Sequence, residues 1–209
     1  MRSRLAGSEE KRAGLRQRQK EATGRLIRDA AYELFEDKGF HETTMRALAS
    51  HAGVGLGTIF KHFPDKQSLL FAAFTEDLEL VIDEAFEELP RTGPLRDQLL
   101  GLVKPIFEFY AARPALSRIL IKECLFPEGE WAQRLEGAVM TFLGRVGELF
   151  QEARARGELS EQLELREGLT AFWSLYFLSL IGGLREPTFD VDRWLETLGD
   201  FLDRFIVNR

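Results

Sequence analysis

The chain has 209 residues, 44% hydrophobic and 30% charged, which allows one compact domain or a small one joined to a larger one. A single cysteine, Cys124, rules out an internal disulfide and a thiolate metal cluster and fits a reducing compartment. The net charge of −6 is unevenly placed: residues 1–66 hold 13 Lys and Arg against 9 Asp and Glu, and residues 67–209 hold 15 against 25. A polyanion-binding end on an acidic body fits this split, since clustered cations release the counterions of a phosphate backbone; ordinary scatter of charge fits it equally.

In chain order, residues 1–22 read as a basic arm with Arg2, Arg4, Lys11, Arg12, Arg16, Arg18 and Lys20, expected to be mobile when free. It lacks the apolar stretch of a signal peptide, so a cytoplasmic location is expected. From Thr23 as N-cap, Leu26, Ile27, Ala30, Ala31, Leu34 and Phe35 recur at helical spacing as far as Lys38-Gly39. Thr44 caps a short second helix with Leu48 and Ala49 facing inward. Gly53 breaks it, and a third segment runs over 54–63.

A fourth helix is expected over about 66–89 and five more over about 95–112, 115–125, 131–156, 165–184 and 191–207, parted by Pro90, Pro114, Pro127, Gly157 and Pro187. No alternating strand pattern is sustained. The fold class is therefore all-α with about nine helices: an arm over 1–22, a three-helix unit over 23–66 and a larger helical body over 67–209. The uncharged run 169–184 has 16 residues. At about 1.5 Å per residue it falls short of a bilayer core of about 30 Å, so it reads as a buried helix and no membrane partner is expected.

A short helix, a tight turn with a small residue and a second helix with a free outer face suit a major groove about 12 Å wide. Residues 44–63 have that layout. The run Thr44-Met45-Arg46-Ala47-Leu48-Ala49-Ser50-His51-Ala52-Gly53-Val54-Gly55-Leu56-Gly57-Thr58-Ile59-Phe60-Lys61-His62-Phe63, then Lys66 and Leu69, resembles the TetR family of bacterial transcription regulators. Ala30-Ala31, Phe35, Gly39-Phe40 and Thr43-Thr44 fit the same pattern, which covers about residues 25–70.

The resemblance implies a helix-turn-helix regulator of double-stranded DNA. Thr44 and Lys66 match phosphate-contacting positions, Arg46 a base-reaching position, and Leu56, Thr58, Lys61 and His62 lie on the recognition helix. Three positions set the character of that helix. Gly55 stands where the family has a serine N-cap, and Phe60 where it has a tyrosine that reaches phosphate. Gly57, usual at its place, lets the backbone approach DNA. Few polar groups then remain for base edges, so sequence choice is expected to lean on Arg46, Thr58, groove shape and thymine methyl contact by Leu56, with the basic arm adding affinity.

For the body, the resemblance implies dimerisation through the last two long helices as a four-helix bundle, which matches a two-fold operator. Phe172, Tyr176, Leu180, Trp194, Leu198, Phe201 and Phe205 are the expected interface. An effector pocket among the middle helices is also implied. Phe107, Tyr110, Phe126, Trp131, Phe142, Trp173 and Phe177 are candidates to line it, for an apolar or aromatic small molecule, although aromatics at helical spacing are also ordinary core. Arg113, Arg118, Lys122, Glu123 and Arg145 are candidate polar anchors.

Other classes find little support. The chain holds no G-x-S-x-G, no H-E-x-x-H and no phosphate-cradling glycine loop, so no catalytic residue is expected. Its three histidines lack metal-ligand spacing, so no metal or cofactor is expected either. The regulator is expected to be a repressor released by a small ligand; the alternative is a DNA-binding dimer with no small-molecule switch.

Overall fold

The computed structural model describes residues 2–90, 92–126, 129–159 and 162–205, and the side chains of these except 2–13, 129–132 and 205. In chain order the helices are α1 (Arg2–Lys38), α2 (Met45–His51), α3 (Leu56–His62), α4 (Lys66–Glu88), α5 (Leu95–Ala112), α6 (Pro114–Cys124), α7 (Gly129–Ala155), α8 (Leu165–Arg185) and α9 (Val191–Phe205). The backbone divides into two compact units, Met1–Phe74 and Thr75–Arg209.

One expectation is corrected at the start. The first helix does not begin at Thr23 but extends back to Arg2, through the stretch read as a mobile arm. Thr23 sits inside it, donating its hydroxyl to the Gln19 carbonyl at 2.9 Å instead of capping. The segment is rich in Ala, Leu, Glu, Gln, Arg and Lys, which favour helix without needing an apolar face.

In the first unit the C-terminal half of α1 buries Ile27, Ala31, Leu34 and Phe35 against Leu48 and Ala49 of α2, Ile59 of α3 and Leu69, Leu70 and Phe74 of α4. Full burial of each large side chain contributes on the order of 1.5–3 kcal/mol before entropy is charged against it. Polar ties fix the loops. Thr43, 1% exposed, donates to the Gly39 carbonyl at 2.8 Å, and the Tyr32 hydroxyl donates to the Ala73 carbonyl at 2.8 Å.

The second unit is built on α5, whose Leu95, Leu99, Leu102, Val103, Ile106, Phe107 and Tyr110 form one buried face. Phe142, Val146 and Phe150 of α7, Phe172, Tyr176 and Leu180 of α8, and Leu198 and Leu202 of α9 complete the core. Helices α8 and α9 approach closely because Gly182 and Gly183 offer no side chain; a methyl group there would overlap the rings of Trp194 and Phe189.

Charges in this unit serve helix ends. Glu158 accepts the free Leu95 amide at 2.6 Å at the start of α5, and Arg156 holds its other oxygen at 2.6 Å. Arg118 caps the far end of α8 through the Leu184 and Glu186 carbonyls, at 2.5 and 2.9 Å. α8 is long and apolar enough to cross a membrane by length and composition, but its Phe172, Tyr176, Leu180 and Leu184 face is buried inside this unit.

Candidate nucleic-acid interface

The turn between α2 and α3 follows from one glycine. Gly53 has φ +67°, a left-handed conformation that side chains with a Cβ rarely adopt. It lets the Gly53 amide donate to the Ser50 carbonyl at 3.3 Å and the Val54 amide to the Ala49 carbonyl at 2.9 Å, the paired closure that satisfies a helix C-terminus. Thr44 closes the other end of α2 by accepting the Ala47 amide at 3.1 Å. Gly55 starts α3 with no side-chain cap.

Burial of Leu48, Ala49, Ile59 and Phe63 then fixes which face of the unit is free. Thr44, Arg46, Gly55, Leu56, Gly57, Thr58, Phe60 and Lys61 are all exposed, and the structure brings these eight expected DNA-facing residues together on α2, the turn and α3. His62 is half-buried, its ring against Gly24 of α1. Burial, then the charges of Lys20 and Lys61, hold its pKa below the usual 6.5, so it is neutral at pH 7.

Lys20 is one of the basic-arm cations expected to add affinity for DNA. It belongs to the stretch read as a separate arm, yet its charge lowers the pKa of His62, the last residue of the recognition helix.

Lys66 is placed differently from expectation. Its ammonium donates to the carbonyls of Phe40, His41 and Thr43, at 2.5, 3.2 and 2.9 Å, and lies 4.4 Å from the centre of the Phe40 ring. Burial lowers its pKa, and Glu42 partly opposes this. With three acceptors for three N–H groups, Lys66 clamps the loop ahead of α2.

In the second unit, part of the expected pocket lining is brought together. Tyr176 lies at the centre of an aromatic cluster, 5.7 Å from Phe107, 6.3 Å from Phe142, 6.2 Å from Phe172 and 5.3 Å from Trp173, and Phe177 stacks on Trp173 at 6.0 Å. Tyr110 is buried too. Burial, then Tyr176, then Cys124 push the Tyr110 phenol pKa up, and burial raises the Cys124 thiol to about 12. Burial also raises the Tyr176 phenol, so these three groups are neutral.

Phe126 is not among them; it is 87% exposed, beyond the end of α6. The Trp131 side chain lies outside the described residues. Two of the candidate anchors are engaged elsewhere: Arg118 caps α8, and Arg145 pairs with Asp83 at 2.5 Å while its guanidinium sits 3.8 Å above the Phe86 ring.

The expected interface residues divide. Phe172, Tyr176, Leu180 and Leu198 are buried within the single chain, so they present no surface to a partner; Trp194 and Phe201 are half-buried, and the Phe205 side chain lies outside the described residues. The outward line of α8 is Thr170, Ser174 and Leu178, at four-residue spacing, with Leu178 60% exposed. α8 is apolar almost all round, so its sequence alone does not say which face the chain itself covers.

Comparison with known proteins places this geometry. The family model for bacterial regulatory proteins, tetR family, matches residues 27–73, which include α2 and α3. The HTH-type transcriptional repressor Rv1474c of Mycobacterium tuberculosis is 32% identical over 138 residues, 66% of this chain and 72% of the relative. The fatty acid metabolism regulator protein of Bacillus subtilis is 25% identical over 140 residues, 67% of this chain and 72% of the relative. Among solved structures, Thermus thermophilus FadR, a TetR-family repressor in complex with lauroyl-CoA, superposes with a TM-score of 0.70 at 27% identity, covering 89% of this chain and 96% of that one. A helix-turn-helix with an exposed reading face, carried ahead of an all-helical body and shared with these relatives, makes the chain a member of the TetR family, the homodimeric DNA-binding transcription regulators of bacteria.

Proposed function

We propose that this regulator is a cytoplasmic repressor that leaves its two-fold operator when a fatty acyl-coenzyme A thioester enters the helical body. The observation that carries the reading is the likeness, across 89% of the chain, to a repressor bound to lauroyl-CoA. The interior agrees with it: Phe107, Phe142, Trp173, Tyr176 and Phe177 are clustered apolar groups, and the phenols and thiol beside them are neutral, a setting for the alkyl chain of such a thioester. The protein binds and does no chemistry of its own.

In this reading Arg46 and Thr58 reach bases while Thr44, Lys61, His62 and Lys20 meet phosphates. A ligand parting Phe142 from Trp173, now 6.3 Å apart, also disturbs Phe86 of α4, which lies 6.1 Å from Phe142. α4 begins at Lys66, three residues after the reading segment, so its displacement changes how the two heads of the dimer meet DNA. The outward line Thr170, Ser174 and Leu178 faces the second copy, which covers what a single chain leaves open on α8.

Titration of lauroyl-CoA against the free protein and against its DNA complex tests the proposal. The expected result is a rise in melting temperature and release of DNA over the same concentration range. DNA retained at saturating lauroyl-CoA, with no melting shift, would sink the acyl-thioester reading and leave a dimer without that switch.

A further inference from the structure

The recognition helix carries two large apolar side chains where a DNA-reading surface is ordinarily polar. Phe60 is 48% exposed and Leu56 37% exposed, one turn apart on α3. The buried Ile59 and Phe63 fix the rotation of the helix. At 3.6 residues per turn, Leu56 and Phe60 lie about 40° apart around the axis, forming one apolar flank. Gly57 and Lys61 make the outermost ridge beside it. Nothing lies within 4 Å of where a Gly57 side chain would begin, so the backbone there is free to come close to a partner.

The partner is set by charge. Lys61 and Arg46 are exposed on the same α2–α3 surface, and Lys20 and Lys61 both act on His62, so a polyanion is drawn to this face. Phe60 has no hydroxyl and cannot donate to phosphate. In the major groove the apolar group that distinguishes one base from the others is the 5-methyl of thymine.

We infer that Leu56 and Phe60 together read thymine methyl groups, and that Phe60 is a specificity-determining residue instead of a lost phosphate contact. The inference rests on the DNA-reading role of α3 and deepens it. Its operator half-sites carry thymines beside the base pairs met by Arg46 and Thr58. Apolar contact with a methyl is short in range and uncharged, so this part of recognition is insensitive to salt while the phosphate part is not.

The test uses the full-length protein and a duplex selected by it from a random library. Replacing the half-site thymidines with deoxyuridine removes the methyl groups and keeps the base pairing. Wild-type affinity, measured by fluorescence anisotropy, falls roughly fourfold for each contacted methyl, the ratio expected for one buried carbon. Phe60→Ala and Leu56→Ala bind the thymidine duplex less tightly than wild type and discriminate less between the two duplexes. Equal wild-type affinity for both duplexes overturns the inference, as does full discrimination retained by both variants. Failure to select any preferred duplex strikes earlier, at the DNA-reading role itself.

Discussion

Lys66 and Arg46 both bring positive charge to the reading unit, and their surroundings separate what each does. Arg46 is exposed on the free face, whereas the three N–H groups of Lys66 have carbonyl acceptors inside the protein. Arg46→Ala is expected to relax base preference at one operator position by about 1–3 kcal/mol, measured against a panel of singly substituted duplexes; a uniform loss on every duplex would make it a phosphate contact. Lys66→Gln is expected to lower the melting temperature and leave the salt dependence of DNA binding unchanged. A phosphate contact would instead reduce the slope of log K against log salt by about 0.9. The sequence pattern finds Arg46 and Lys66 equally well. Only the folded loop, with the Phe40, His41 and Thr43 carbonyls turned toward one point, tells them apart.

Helix ends and helix length decide the behaviour of the elements. α5 starts after Pro94, which has no capping side chain, and Glu158 supplies the acceptor from 63 residues away. Burial alone would raise the Glu158 pKa, but the hydrogen bonds from Arg156 and the Leu95 amide and the charge of Arg156 hold it below the usual 4.5. A carboxylate whose folded pKa is depressed stabilises the fold above its unfolded value and loses that contribution as pH falls through the folded one. Glu158→Gln is therefore expected to cost about 1–2 kcal/mol at pH 7 in urea unfolding, the gap from wild type closing as the medium is acidified past the lowered value. A gap that widened in acid would contradict this cap.

α1 shows what periodicity misses. Residues 14–22 are exposed at every position but one short polar pair, Gln17 to Glu21 at 2.8 Å, adds a bond one turn apart. A helix with no core to face leaves no apolar rhythm, so only its composition hints at its length. This helix carries the exposed Arg16, Arg18 and Lys20, the last close enough to His62 for its charge to lower that residue's pKa, so deleting residues 1–20 is expected to weaken DNA binding and flatten its salt dependence. An unchanged slope would deny these residues a part in binding.

At the scale of the whole molecule, the apolar spacing and the breakers at Gly53, Pro90, Pro114, Gly157 and Pro187 were enough to divide the chain into its helices. The helix-turn-helix was legible to within two residues, α3 running over Leu56–His62 where the sequence reads as 54–63, because Gly53, Thr44 and the inward Leu48, Ala49 and Ile59 obey local rules. The body was less so. Phe126 follows Leu125 on an apolar stretch and reads as lining, yet it is exposed; Phe172 and Tyr176 read as interface, yet the chain buries them itself. Which side of an all-apolar helix faces its own core depends on the close approach of Trp194 and Phe189 at Gly182 and Gly183, a tertiary fact without a local signature.

Leu178→Glu, on the outward line of α8, is expected to shift the protein toward single chains at micromolar concentration, and the unaltered protein to remain a dimer. The most direct measurement of the account as a whole is the light-scattering mass of the wild-type protein bound to one selected duplex. Two chains per duplex are predicted, bound at half-sites about one helical turn, roughly 34–36 Å, or a multiple of it apart. A complex holding one chain, or a mass unchanged by adding the duplex, would contradict a homodimer that reads DNA through α2 and α3.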